Sequence, residues 1–404
     1  MTLKEELEIL RGEPIKVFDG DPMDIPCIET SDAEKLCKHP VVSVHMITYN
    51  HEPYIRQAIE GVMMQKTDFE FELVIGEDAS TDKTREICFE YQQKYPDKIR
   101  VLWWHENLRK FKHPAGGNGK RNIVHCRGEF VAHCEGDDYW IDPLKLQKQV
   151  DVMRAYPKVG FCFCGSKRYY QGENKYDDWN ENDVTYKAGI QDNKWFFATF
   201  MFGMGPEYVG KSYTGFIMTA TTMIRRSLLN RVMHKYDIFK WRLRLGDATL
   251  WLAASSEMSG YYISDQTSVY RISKSGVYQN LSTRGGIQID GIIVRLYFMK
   301  KVWGLNIGDC PPQLLFWLNS LVINRLQTNI RIMKYAWAQC KSRRVLAMRL
   351  HRWYMIPLWL CALLGLFVWP FKNIAWRIAN SGCRRHKTWH RRLIEKYRQV
   401  GLVQ

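Results

Sequence analysis

The sequence lacks two features of secreted proteins. Its eleven cysteines lie scattered along 404 residues, and neither their spacing nor their odd number fits a disulfide framework. The first ten residues are polar and acidic, without the apolar run of a secretory signal peptide. We therefore expect reduced thiols and a cytosolic location.

Acidic residues are nearly missing from the C-terminal part. Arg331–Gln404 contains 16 lysines and arginines but a single acid, Glu395, whereas the rest of the chain is almost neutral. This part includes one uncharged apolar run, Trp353–Phe371, which is close to the ~20 residues needed to cross a bilayer but is broken by Pro357 and Pro370. Its charges flank the apolar run rather than alternate with aromatic residues, so we expect an anionic membrane surface as the partner, and no nucleic acid. Whether the run spans the membrane or lies in it stays open.

Hydrophobic periodicity predicts an α/β protein. Strand patterns over 41–47, 71–75 and 99–103 alternate with helical patterns over 54–64 and 83–95. Strands that alternate with helices predict right-handed crossovers and a Rossmann-like sheet that is mixed but mostly parallel, flanked by helices.

Three segments follow from the same patterns. Residues 1–39 form an N-terminal lead, 40–275 the α/β domain, and 276–404 a helical, basic, membrane-associated extension. Within the domain we also predict a helix and three more strands, over 144–153, 159–164, 213–222 and 265–275.

Polar clusters follow three of the predicted strands. They are Thr48–Glu52, Gly76–Asp82 and Glu135–Asp138, the last directly after the short apolar run Phe130–Ala132. Ligands of open α/β sheets bind beyond the carboxyl ends of the strands. We therefore expect the three clusters to meet at one edge and form a binding site.

Glu135, Asp137 and Asp138 place three carboxylates within four residues. Like charges this close repel one another unless a cation or hydrogen-bond donors lie among them. Carboxylate oxygens suit Mn²⁺ or Mg²⁺, which commonly take one or two carboxylates together with substrate phosphates. An acidic turn exposed to solvent is the alternative, and the neighbouring polar clusters favour the metal.

Four motifs in order resemble family 2 inverting glycosyltransferases of the GT-A fold, of the kind that builds bacterial cell-surface glycans. They are Thr48–Glu52, Glu77–Asp82, Glu135–Trp140 (shortly after Gly128-Glu129) and Gly246–Trp251. The resemblance covers roughly residues 41 to 275.

The resemblance implies a nucleotide-sugar donor site. Tyr49 would stack on or flank the base, Asp78 would accept a hydrogen bond from the base, and Glu52 would line the same pocket. Arg121, in a basic and glycine-rich stretch with Lys110, Lys112 and Lys120, is our own candidate for the diphosphate because its planar fork suits phosphate oxygens. Solvated cations are the alternative for this stretch.

The resemblance also implies the catalytic groups. Glu135 and Asp137 would bind the donor, Asp137 and Asp138 would hold Mn²⁺ or Mg²⁺, and Asp247 would deprotonate the acceptor hydroxyl. Two positions depart from the family pattern, since Glu77 and Glu135 stand where aspartate is usual. Asp137 and Asp138 therefore rank above Glu135 as metal ligands, and a helix N-cap is the alternative role for Asp247.

The expected activity is transfer of one sugar to a hydroxyl of a cell-surface glycan or a lipid-linked oligosaccharide, at the cytoplasmic face of the inner membrane. The Gln-x-x-Arg-Trp motif of processive synthases is absent from the sequence, which favours a single transfer. Alternatives are a nucleotidyltransferase acting on sugar phosphates and a catalytically silent, membrane-bound nucleotide-sugar-binding protein. A nucleotidyltransferase should carry a basic, glycine-rich loop after the first strand, where this chain has Thr48–Glu52.

Overall fold

A computed structural model describes residues 27–108, 117–177, 186–193, 217–236 and 246–273, together with Phe298 and Val302. In this part of the chain eleven strands form one sheet. The strands are β1 (Ile28–Thr30), β2 (Val42–Thr48), β3 (Phe71–Glu77), β4 (Ile99–Trp103), β5 (Phe130–His133), β6 (Tyr139–Trp140), β7 (Val159–Tyr170), β8 (Lys175–Asp177), β9 (Gly189–Gln191), β10 (Thr222–Arg225) and β11 (Ser259–Ile272). The α-helices are α1 (Ile55–Met63), α2 (Thr84–Lys94), α3 (Asn118–Val124), α4 (Lys145–Ala155), α5 (Arg226–Lys235) and α6 (Gly246–Ser255).

The parallel half of the sheet holds the core. β4, β3, β2 and β5 lie side by side and run parallel, with Val42 opposite Phe71 on one side and Phe130 on the other. Nearly every residue of β2 and β3 is buried, which is typical of strands covered on both faces. This confirms the predicted parallel connections through α1 and α2.

The other half of the sheet makes it mixed. β10 runs antiparallel to both β5 and β7, β11 runs parallel to β7, and β6 runs antiparallel to β11. The two longest pairings in the described residues, β2–β3 and β7–β11, are parallel. The observed mixed sheet with flanking helices confirms the predicted α/β class.

Several predicted boundaries need correction. Of the predicted strand over 213–222, residues 213–216 lie outside the described part, 219–221 form a 3₁₀ turn, and only Thr222 is in a strand. β7 runs six residues past its predicted end, through polar side chains that break the hydrophobic pattern, whereas β11 begins at Ser259, six residues before its predicted start, and ends at Ile272. β1, β6 and α3 lacked any pattern long enough to predict them.

The chain divides into two units by its internal contacts. The first comprises Met1–Phe196, Gly215–Arg242 and Leu250–Gly276, and the second comprises Phe197–Thr214, Leu243–Thr249 and Val277–Gln404. The apolar segment 353–371 and the extension 276–404 lie outside the described residues, except for Phe298 and Val302. Within the described ranges, no helix has the length and apolar character needed to cross a bilayer.

Candidate functional site

The three polar clusters do meet at one edge of the sheet. β3, β2 and β5 are adjacent and parallel, so the loops that follow them leave the sheet side by side. The main chain joins them directly, since Asp78 N–H donates to Thr48 O at 3.1 Å and Gly136 N–H donates to Ile47 O at 2.9 Å. The predicted convergence is confirmed.

The loop after β2 (the first loop) and the loop after β3 (the second loop) interlock through reciprocal hydrogen bonds. Asn50 N–H donates to Ser80 Oγ at 3.0 Å, and Thr81 N–H donates to Asn50 Oδ1 at 2.8 Å. Asn50 and Ala79 have φ values of 53° and 56°, a left-handed conformation that is uncommon for residues other than glycine. Strained backbone of this kind persists only where the surroundings enforce it, and it clusters at functional sites.

Glu52 takes part in the same link between loops. Its main-chain N–H donates to Asp82 Oδ2 at 3.1 Å, and its Oε2 accepts from Lys83 N–H at 3.2 Å, just before α2. A carboxylate at this end of a helix is stabilised by the helix dipole. The structure therefore places Glu52 in the first loop, with its carboxylate hydrogen-bonded to the main chain just before α2.

Glu77, one of the two departures from the family pattern, is fully buried at the end of β3. Its Oε1 accepts from Ser80 N–H at 2.6 Å, and its Oε2 accepts from Arg85 Nε at 2.5 Å. The longer glutamate thus holds the second loop against α2. Asp78, the next residue, is also buried, and its Oδ1 accepts from Leu108 N–H at 2.8 Å.

Gly136 allows the acidic loop 134–138 to pack tightly on the first loop. A Cβ at this position would lie 2.8 Å from Thr48 Oγ1 and 2.9 Å from His51 Nδ1. The same packing brings Asp137 Oδ2 within 4.0 Å of His51 Nε2. His51 is a site neighbour that the sequence analysis did not single out, although it lies inside the first motif.

The two adjacent aspartates have different surroundings. The Asp137 side chain is 34% exposed, so its carboxylate opens to solvent at the mouth of the site. Asp138 is only 5% exposed, and its Oδ1 accepts from the main-chain N–H of Arg271 on β11 at 2.9 Å. Glu135 is half-buried in the same loop.

Electrostatics favour a cation at the acidic loop. Burial raises the pKa of Asp138 well above its usual range, and the neighbouring charges of Asp137 and Glu135 raise it further. Among the described residues, no three His, Cys, Asp or Glu side chains are arranged to hold a metal by themselves. A pair of hard oxygen donors fits Mn²⁺ or Mg²⁺, which also take substrate phosphate and water as ligands.

Arg271 is the main residue that sequence reasoning undervalued. Its Nε donates to Asp137 O at 2.9 Å, in addition to the main-chain bond to Asp138. Only the tertiary pairing of β11 with β6, where Val269 lies opposite Tyr139, brings it to the acidic loop.

Tyr49 and Arg121 differ in their surroundings. Tyr49 is half-buried in the first loop, directly after β2. Arg121 lies on α3 and is 1% exposed, with its guanidinium carbon 5.4 Å from the centre of the Trp104 ring. α3 is fixed to the sheet by Asn122 Nδ2, which donates to Met46 O and Val74 O at 3.1 Å each. Lys110, Lys112 and residues 115–116 of the glycine-rich stretch lie outside the described residues.

Asp247 lies in the first turn of α6, in the second unit. Its Oδ1 accepts from Ala248 N–H at 2.7 Å. A carboxylate in a first turn stabilises a helix electrostatically, in line with the alternative structural role and compatible with catalysis. Its role as the base stays a prediction.

The family follows from the sequence of this region. Residues 43–233, which contain three of the four motifs, match the sequence model of Glycosyl transferase family 2. The chain therefore carries a family 2 glycosyltransferase domain.

Individual relatives match parts of the chain. An uncharacterised protein of Mycobacterium tuberculosis is 43% identical over 122 residues, which are 30% of this chain and 34% of that protein. The chain thus spans about a third of the length of the curated relatives it matches first. TuaG of Bacillus subtilis, named for glycosyl transfer in teichuronic acid biosynthesis, is 24% identical over 65% of this chain and 92% of its own.

One solved structure aligns with most of the chain. The mannosyltransferase PcManGT from Pyrobaculum calidifontis, in complex with GDP-Man and Mn²⁺, is 17% identical, with a TM-score of 0.46 over 92% of this chain and 93% of its own.

Proposed function

We propose that this chain is a metal-dependent, inverting glycosyltransferase that moves one sugar from a nucleoside diphosphate to a hydroxyl group. The observation that carries the proposal is the convergence of the loops after β3, β2 and β5, with Asp137 open to solvent and Asp138 buried behind it. The family 2 domain over residues 43–233 supports the same class of reaction.

Each group of the site has a task in this proposal. Tyr49, Glu52 and Asp78 lie on the first two loops, where they would meet the nucleoside. Asp137 and Asp138 would hold Mn²⁺ or Mg²⁺, with Glu135 beside them on the donor side. A metal bound there would act as a Lewis acid and neutralise charge on the leaving diphosphate.

The acceptor hydroxyl needs a base. We assign this role to Asp247, which would take the proton as the hydroxyl oxygen attacks the anomeric carbon. One base without a protein nucleophile gives inversion at that carbon. Arg121 remains our candidate for the diphosphate, and it would reach phosphate only if its contact with Trp104 opens.

A panel of nucleotide sugars tests the donor side. The full chain is incubated with UDP- and GDP-sugars, Mn²⁺ or EDTA, and released nucleoside diphosphate is measured. We expect a few of these nucleotide sugars to release nucleoside diphosphate in Mn²⁺, and we expect EDTA to abolish this release. Release of pyrophosphate from a nucleoside triphosphate and a sugar phosphate would instead indicate a nucleotidyltransferase, and binding without turnover a silent nucleotide-sugar-binding protein.

The acceptor is proposed from the basic C-terminal part. A basic tail that contains an apolar run would hold the enzyme at an anionic leaflet. There, at the cytoplasmic face of the inner membrane, it would meet a lipid-linked or cell-surface glycan. The match to TuaG over 92% of that protein supports a cell-surface product. Deleting residues 350–404 should stop flotation of the chain with phosphatidylglycerol vesicles, and flotation of the shortened chain would contradict the membrane assignment.

A further inference from the structure

Arg271 joins three elements at the acidic loop. Its main-chain N–H donates to Asp138 Oδ1 at 2.9 Å, and its Nε donates to Asp137 O at 2.9 Å. Its Nη2 donates to Gln57 Oε1 at 2.6 Å, on α1. One residue of β11 thus links the loop after β5 to the helix after β2.

Three tyrosine rings surround the same guanidinium. Its central carbon lies 4.9 Å from the ring centre of Tyr54, 5.1 Å from that of Tyr139 and 5.5 Å from that of Tyr169. Arg271 is 9% exposed, so these cation–π contacts are largely shielded from water. Such contacts are stronger when they are shielded than when they are exposed to solvent. The rings and the hydrogen bonds together hold the guanidinium in one orientation.

The acidic loop needs such a support. Asp137 and Asp138 are adjacent carboxylates with Glu135 nearby, and their mutual repulsion favours conformations in which the side chains separate. A cation fixed behind the loop offsets that repulsion and directs the Asp137 carbonyl inward. The Asp137 carboxylate is then left facing solvent.

We propose that Arg271 is a positioning residue that fixes the main chain at Asp137 and Asp138, so that the two carboxylates are preorganised for a divalent cation. The metal in this statement rests on the proposed function, whereas the effect on the loop does not. Lysine would keep the charge but lose the fork that reaches Asp137 O and Gln57 at once. The main-chain N–H that donates to Asp138 is still present in Arg271→Lys.

The test compares Arg271→Lys and Gln57→Ala with a matched control, Arg225→Lys. Arg225 also donates to main-chain oxygens, those of Val159 (2.8 Å) and Met153, and lies over the Phe130 ring at 5.3 Å. It differs in that these contacts do not include the acidic loop. Gln57 is exposed on α1, so its truncation should leave the fold intact.

Three measurements are made on each full-length variant. Hydrogen exchange of a peptide covering residues 134–140 is followed in EDTA, Mn²⁺ binding is followed by loss of the free-ion EPR signal, and the thermal midpoint is recorded. We expect Arg271→Lys to speed exchange in this peptide and to weaken Mn²⁺ binding by about 10–100-fold, the effect usual for groups that orient metal ligands. Gln57→Ala should act in the same direction but less, and Arg225→Lys should lower only the midpoint.

Unchanged exchange of residues 134–140 in Arg271→Lys would overturn the proposal, as would equal effects of the Arg271 and Arg225 variants on Mn²⁺ binding. The role of Arg271 and the proposed function can fail independently of each other. A wild-type chain that binds Mn²⁺ but turns over no nucleotide sugar refutes the enzyme and leaves the positioning role standing. Turnover with an unaffected loop refutes only the role of Arg271.

Discussion

Neighbouring residues of the candidate site differ in exposure and hydrogen-bond partners because the fold gives them different surroundings. Asp137 and Asp138 are adjacent in the chain, yet one carboxylate faces solvent and the other is buried against the main chain of β11. Glu77 and Asp78 show a second contrast, in which the first holds α2 and the second holds the loop before α3. At this scale the chemistry depends on which atoms remain available to a ligand.

Asp137→Asn should abolish metal-dependent turnover while leaving the fold intact. Asn has the same shape but only one oxygen and no charge, and surface substitutions usually change the free energy of unfolding by no more than about 0.5 kcal/mol. Nucleotide release with Mn²⁺ and urea denaturation in EDTA are measured. Asp151→Asn, at an exposed position of α4, is the control. Full activity of the Asp137 variant would remove it from the metal site.

Asp247→Asn should separate donor binding from transfer. The amide oxygen can still accept from Ala248 N–H, so α6 should form normally. Affinity for the nucleotide sugar should stay within about twofold, whereas kcat for transfer to the acceptor should fall at least about 100-fold, as expected for loss of a general base. Unaltered transfer would show that the base is another residue.

The elements around the site are held by close packing of their loops. The first two loops exchange hydrogen bonds in both directions, and the acidic loop touches the first through a glycine. This leaves little room for independent movement of the three loops. The arrangement predicts that a small steric change in one loop is transmitted to its neighbour.

Gly136→Ala provides that steric change. The added methyl group would lie under 3 Å from Thr48 Oγ1 and His51 Nδ1, so either the acidic loop or these two side chains must shift. We expect a loss of about 1–3 kcal/mol in the free energy of unfolding, the usual cost of overpacking, and weaker Mn²⁺ binding. Urea denaturation and EPR titration measure the two effects. Gly117→Ala, where a Cβ meets nothing within 4 Å, is the control, and equal effects of both variants would contradict the packing argument.

The stability of the whole molecule should depend on pH through two buried histidines. His45 and His133 face each other across β2 and β5, with ring centres 5.2 Å apart. Burial lowers the pKa of His45 to about 4 and that of His133 well below its usual 6.5. Both rings therefore stay neutral in the fold at pH values where the unfolded chain binds protons, so stability is retained above about pH 6.5 and falls as the pH decreases toward 4.

His45→Gln should remove part of this dependence. Between pH 6.5 and pH 5 the wild type should lose about 1–2 kcal/mol more than the variant, because one proton per histidine is taken up on unfolding. The raised pKa of Asp138 acts in the opposite direction in both proteins, so the difference between them is the quantity to compare. Urea denaturation at the two pH values measures it. A pH dependence that is the same in both would show that His45 titrates alike in the folded and unfolded chains.

Much of the parallel half could be predicted from sequence. β2, β3 and β4 are buried apolar runs, and α1 and α2 have helical periodicity, so local pattern and tertiary burial agree. The polar clusters directly after the strands predicted where the loops would meet, because parallel strands place their carboxyl ends at one edge. Asp137 and Asp138 were found in this way.

Only the tertiary structure decided which partners those carboxylates have. Arg271 lies 133 residues after Asp138, and no local pattern relates them, since their contact depends on the pairing of β11 with β6. The burial of Asp138 and Arg121, the exposure of Asp137 and the close approach at Gly136 likewise come from packing between distant segments. Sequence periodicity reports how a residue relates to its own helix or strand. The environment of a charged group is set by what the fold brings against it from elsewhere in the chain.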